Sequence, residues 1–141
     1  MTKTGRAVVY DAPNTPFVIR EYPVRDVKRD EVLVRITMST ICRSDIHSYH
    51  GHRPNPCPGI LGHEIVGVIE QLGTGIVHDM RGDKLSAGDR VTWTEFFHHG
   101  GSYYRDVHDM PQKSVGLRKY GHDLVEEDPH FLGGFADYCY I

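Results

Sequence analysis

The chain has 141 residues, 39% hydrophobic and 25% charged, an ordinary globular composition and enough for one domain with a single core. Sixteen basic against nineteen acidic residues give a formal net charge of -3, with no long basic stripe, so neither nucleic acid nor an anionic membrane is expected as a partner. The polar start, residues 1–6, leads straight into a strand-like run without an apolar leader or a bilayer-length stretch, which makes a cytoplasmic location the default expectation.

Residues 6–10 and 17–22 are short β-type runs separated by Asp11-Ala12-Pro13-Asn14-Thr15-Pro16, so a hairpin is expected. Residues 31–39 alternate: Val32, Val34, Ile36 and Met38 share one face, and Glu31, Arg35, Thr37 and Ser39 the other, the period-2 pattern of a half-buried strand. That strand delivers Cys42 at its end. Ser44 and Asp45 are placed to cap a short helix running to His50, and residues 50–59 are loop by composition. Residues 65–72 read as a mostly apolar strand ending at Gly73-Thr74-Gly75; Ser86-Ala87-Gly88-Asp89 is a turn, and residues 90–94 are a further strand. Residues 96–129 dissolve into Gly, His, Tyr and charge, a length of irregular chain that is either functional or poorly ordered. Residues 133–141 close the chain on a strand. Many short strands and few helical patterns predict a mainly β fold with a barrel-like core, a single domain over residues 1–141.

Two groups of chemically capable residues stand out. Cys42-Arg43-Ser44-Asp45-Ile46-His47 ends the alternating strand, and Gly62-His63-Glu64 opens the apolar one. A thiolate and an imidazole are ligand types that zinc prefers, and a catalytic zinc takes three protein ligands with one open position. A lone Cys at a strand end is ordinarily a small buried hydrophobe; the packing of Cys42, Ser44, Asp45 and His47 into six residues, with a His-Glu pair further on, is what points to a site. Three cysteines without a Cys-x-x-Cys pair argue against a disulfide framework and leave thiols available for metal.

These two groups, with Gly62-His63-Glu64-x-x-Gly67 and a following Gly73, resemble the catalytic-zinc half-sites of the zinc-dependent alcohol dehydrogenases, the medium-chain dehydrogenase/reductase family. The resemblance runs from Arg6 to Ile141 and corresponds to that family's N-terminal catalytic part. It implies a GroES-like, partly open β-barrel with short helices and a long irregular loop. It further implies Cys42 and His63 as zinc ligands, with the Glu64 carboxylate behind the metal or in a buried ion pair with an Arg. Ser44 corresponds to the hydroxyl that takes the alcohol proton and His47 to the imidazole that passes it to solvent; Asp45 orients His63, and Arg43 meets the cofactor pyrophosphate. The implied reaction is hydride transfer between a small alcohol and NAD(P), with zinc as Lewis acid.

The chain also departs from the family pattern. Where many relatives carry four cysteines for a structural zinc, the positions fall on Gly100, Tyr103, Asp106 and Ser114, so no structural zinc is expected. Relatives continue into a nucleotide-binding domain and supply a third catalytic ligand beyond the equivalent of Ile141. Gly73-Thr74-Gly75 lacks the third Gly and the following helix that a dinucleotide fingerprint needs, and reads as a turn. The expectation is therefore a catalytic-domain portion that is inactive in isolation and self-associates through the surface a second domain would cover. Two other readings remain: a non-catalytic GroES-like binding or assembly module, and a small zinc hydrolase or hydratase in which Cys57, Cys139 or a loop histidine supplies the third ligand. His50, His52, His98, His99 and His108 read as solvated loop histidines, and Cys57 and Cys139 as structural.

Overall fold

A computed structural model describes residues 3–97 and 102–141. The expected hairpin forms: β1 (Thr4–Tyr10) pairs antiparallel with β2 (Val18–Pro23), and the turn between them carries Asn14 in the left-handed region. β3 (Val32–Ser39) follows, then helix α1 (Arg43–Tyr49), the two-residue β4 (Gly59–Ile60) and β5 (Ile65–Leu72). The remaining elements are β6 (Arg90–Thr92), β7 (Phe96–Phe97), helix α2 (Tyr103–His108), β8 (Arg118–Lys119) and β9 (Tyr138–Tyr140). They assemble into open sheets of order β2-β1-β4 and β6-β5-β3-β9 and a β7-β8 ribbon. The fold is mainly β, as expected, and its sheets stay open, without a closed barrel among the described residues.

β3 is the central strand and shows where simple alternation fails. Val32 and Val34 pack with Ile69 on one face, but Leu33 is equally buried in the larger cluster on the other, with Ile65, Phe131 and Cys139. Both faces of the first half of β3 are covered, so its inward positions run consecutively. Met38, assigned by alternation to the buried face, is exposed, because two bulges in the β3–β5 pairing shift the register along the strand.

The long stretch after β6 is only partly irregular. Phe96 and Phe97 pair with Lys119 and Arg118, and Tyr120 and Val125 join the core, so the return limb is built into the fold while α2 sits outside it with no buried residue. Gly73-Thr74-Gly75 is a turn, closed by Ile76 N–H donating to the Gly73 carbonyl, and leads into irregular chain.

Register places the functional segments. Ser39 stands opposite Ile65, and the Thr40 amide donates to the Glu64 carbonyl at 3.1 Å. The residues just beyond β3 and just before β5 therefore leave the sheet at the same end. α1 is fixed over that end by the Tyr10 hydroxyl, which donates to the Ser48 carbonyl at 2.8 Å, and by the Asn14 amide donating to Tyr49.

Gly62 makes the entry into β5 possible. It has φ +91°, and a Cβ there would lie 2.8 Å from the Phe135 ring and 3.1 Å from Gly134 Cα. Gly62→Ala should therefore cost about 1–3 kcal/mol through strain and overpacking, read as a lowered midpoint in urea unfolding. An unchanged midpoint would show that this corner yields freely.

Candidate metal centre

Cys42 is the residue that caps α1, with extended backbone, and Asp45 is the third helical residue. The capping assigned to Ser44 and Asp45 from sequence thus belongs to Cys42 and Asp45. Asp45 reaches back, and its Oδ2 accepts the Cys42 amide at 2.9 Å. Its Oδ1 accepts the Gly62 amide at 3.1 Å. One carboxylate, 5% exposed, therefore holds the backbone of both segments that carry candidate ligands.

The ligand atoms converge. Cys42 Sγ, one ring nitrogen of His63 and one Glu64 carboxylate oxygen all lie within 4.8 Å of one another. His63 is buried; its Nε2 is 3.2 Å from Ser44 Oγ, and its Nδ1 is 3.5 Å from Asp45 Oδ1 with no hydrogen-bond partner. Asp45 thus stands where an orienting carboxylate would, just beyond hydrogen-bond length, while its bonded partners are backbone. Glu64 is exposed, and its Oε2 accepts a hydrogen bond from Thr40 Oγ1. Among the described residues, Glu64 forms no buried pair with an Arg.

The other named residues spread outward. His47 is half-buried on α1, with its Nδ1 3.5 Å from His52 Nδ1, and Arg43 is exposed at the start of the helix. His50, His52 and His108 are exposed. Cys57 is also exposed, whereas Cys139 is fully buried and burial pushes its thiol well above the ordinary range. None of these joins the Cys42–His63–Glu64 group among the described residues. Of the four structural-zinc positions, Tyr103 and Asp106 lie on α2 and Ser114 is buried, while Gly100, like His98 and His99, lies outside the described residues.

Residues 28–141 match the family model described as the alcohol dehydrogenase GroES-like domain. The chain belongs to that family. It is 38% identical over 86 residues to alcohol dehydrogenase 1 of Caenorhabditis elegans, a match covering 60% of this chain and 25% of that protein. An alcohol dehydrogenase structure from Thermotoga maritima superimposes with a TM-score of 0.87 at 30% identity, over 99% of this chain and 38% of the other. A dehydrogenase named for zinc binding from Sinorhizobium meliloti, solved with NADP, gives 0.75 at 25% identity, over 99% and 36%. The chain thus spans between about a quarter and two fifths of the length of these relatives.

Sequence reasoning missed four side chains near this centre. Thr40 holds Glu64. His122 lies beside His63 with 6.4 Å between ring centres. Burial, followed by the charges of Arg53, Lys119 and His63, lowers its pKa to about 4, against a smaller opposing pull from Glu95. Arg53 and His122 lie in stretches that read as irregular and Glu95 falls just after a strand, and no local spacing signals their approach to His63. His122 is consequently neutral at pH 7 and ready to accept or donate one hydrogen bond.

Asp45→Ala should orphan one buried and one partly buried amide and cost about 2–4 kcal/mol in denaturant unfolding, with Asp45→Asn intermediate because its single carbonyl oxygen can serve only one amide. For His122, the folded pKa lies below the unfolded 6.5, so between these values the unfolded state binds more protons and stability falls as pH drops from about 6.5 towards 4. His122→Gln should flatten that part of the stability–pH curve, and equal slopes in both proteins would contradict the assignment.

Proposed function

We propose that residues 1–141 form the GroES-like catalytic portion of a zinc-dependent, NAD(P)-linked alcohol dehydrogenase, interconverting an alcohol and a carbonyl compound. The observation that carries this reading is the convergence of Cys42, His63 and Glu64 within 4.8 Å. Sulfur, imidazole nitrogen and carboxylate oxygen form a donor set suited to zinc. The buried Nδ1 of His63 near Asp45 suits a ring whose Nε2 is presented to the same space. Membership of the family, and a zinc-named relative solved with NADP, support the same assignment.

Cys42 and His63 would hold the metal, with Glu64 as the third donor within reach. Zinc when bound would supply Lewis acidity toward an alcohol oxygen, and the nicotinamide would take up the hydride. Asp45 fixes the two ligand-bearing segments through their amides. The Ser44 hydroxyl, next to His63 Nε2, is placed to receive a proton from substrate. His47 provides the outward path: its Nδ1 faces His52 Nδ1 at 3.5 Å, and His52 is exposed. Arg43, exposed at the start of α1, is available for a cofactor phosphate. Nicotinamide binding is assigned to a separate nucleotide-binding domain, so these residues alone should not turn over alcohol.

The same reading has the isolated chain self-associating. Ile19 and Met38 line one hollow, and Phe17, Ile41 and Ile46 line another that shares Phe135 with it. All five are large apolar side chains left in solvent.

Elemental analysis after zinc loading tests the proposal. One zinc per chain is expected, lost in Cys42→Ala and in His63→Ala. With cobalt in place of zinc, a thiolate charge-transfer band should appear and vanish in Cys42→Ser. A chain that takes up no stoichiometric metal and tolerates Cys42→Ala and His63→Ala would favour the binding-module reading instead. Sedimentation should show concentration-dependent dimers or larger species, which Met38→Glu weakens.

A further inference from the structure

The turn that ends α1 brings together two imidazoles outside the Cys42–His63–Glu64 group. His50 caps the helix, and Gly51 follows with φ +72°. The Gly51 amide donates to the Ser48 carbonyl at 3.0 Å, and the His52 amide donates to the His47 carbonyl at 2.9 Å. With a left-handed glycine, these two bonds make a Schellman ending, in which the second residue past the cap comes to lie against the third-last residue of the helix. That contact is ordinarily apolar. Here the two positions are His52 and His47, so the backbone itself sets one imidazole against the other.

The turn is also braced from outside. The Asn14 amide donates to the Tyr49 carbonyl at 2.8 Å, and Asn14 Oδ1 lies 3.0 Å from His50 Nδ1. Pro13 packs so close to Gly51 that a Cβ there would lie 3.1 Å from the proline Cβ. The β1–β2 turn therefore fixes the end of α1, and a ligand does not have to assemble the pair.

Within this frame the two Nδ1 atoms face each other at 3.5 Å, with ring centres 5.7 Å apart. That separation exceeds the about 2.7–3.2 Å of a well-formed hydrogen bond. It is close to the bite of a tetrahedral ion, because two nitrogens each about 2.0–2.1 Å from zinc stand about 3.3–3.4 Å apart. His47 is half-buried and His52 exposed, so water has access to complete a coordination shell. Among the described residues, no third Cys, His, Asp or Glu ligand atom joins the two nitrogens within 4.8 Å. Imidazole donors without a carboxylate favour zinc and its transition-metal neighbours over magnesium or calcium.

We propose that His47 and His52 form a second cation site, which takes zinc between the two Nδ1 atoms with water as the remaining ligands. It shares no ligand with the Cys42–His63–Glu64 centre and does not depend on the dehydrogenase reading. Two nitrogens hold zinc less tightly than three donors that include a thiolate. The second ion is therefore lost from a desalted sample, in which one zinc per chain is expected, and is read at equilibrium with free metal.

Calorimetric titration of the chain with zinc should resolve two classes of uptake, the weaker with one ion per chain. His52→Gln and, separately, His47→Gln should weaken that class by at least about 10-fold, the lower end of the loss when even a supporting partner of a ligand is removed. The tighter class should be unchanged in both. His78→Gln, which removes an exposed histidine from the β5–β6 connection, should alter neither class. Circular dichroism on each variant separates a lost ligand from a lost fold, and the exposed position of His52 makes its variant the decisive one. Absence of any uptake sensitive to His52→Gln overturns the proposal, and so does equal weakening in His78→Gln. Uptake that depends on the pair, in a chain with no tighter class, overturns the dehydrogenase reading and leaves this site standing.

Discussion

The antiparallel pairing of β3 with β5 is the constraint from which the candidate centre follows. In an antiparallel pair the end of one strand lies beside the start of the other, and here Ser39 stands opposite Ile65. Cys42 lies just past one strand end and His63 just before the other strand start, so the two meet whatever the intervening loop does. A slip of one residue would reverse which face each side chain takes. That slip is opposed on both sides of β3, since Leu33 is buried in one cluster and Val32 and Val34 in the other. The apolar core thus fixes the register, and the register fixes the distance between a thiol and an imidazole far apart in sequence.

Pairing brings the segments close, and Asp45 sets their final geometry. A buried carboxylate is costly unless its oxygens accept hydrogen bonds, and here each oxygen accepts one amide, from Cys42 and from Gly62. The sites of these amides matter more than their number, because one belongs to a candidate ligand and the other to the residue preceding the second. Removal of the carboxylate would therefore loosen both halves together, unlike loss of an ordinary helix cap. Gly62, with positive φ and no room for a Cβ, completes the arrangement from the other side.

Much of this was legible in the sequence, and the failures have physical causes. The β1–β2 hairpin, β5, the turn at Gly73 and the mainly β class follow from local period and turn residues, which need no knowledge of the rest of the chain. Alternation misplaced Met38 and overlooked Leu33, because it assumes one covered face and a regular ladder, whereas β3 is covered on both faces and bulged. The candidate ligands stood out because their types are rare and cluster in two short runs. Thr40, Arg53, Glu95 and His122 did not, since each is an ordinary polar residue whose meaning comes from a contact made across the fold. The same holds for Asp45: its carboxylate was recognisable as useful, but its attachment to the Gly62 amide depends on the two segments meeting.

The charge distribution around His63 gives the centre a sidedness that ligand identity alone does not. On one side, Cys42, Glu64 and Asp45 bring acidic or potentially acidic groups together with His63, and Nδ1 of that imidazole has no hydrogen-bond partner. On the other side, His122 is held neutral by burial and by neighbouring cations, and Lys119 is matched by Glu95. An imidazolium at His122 would add a positive charge where those of Arg53 and Lys119 already act. In a partly desolvated corner, opposite charges interact more strongly than they would in bulk water.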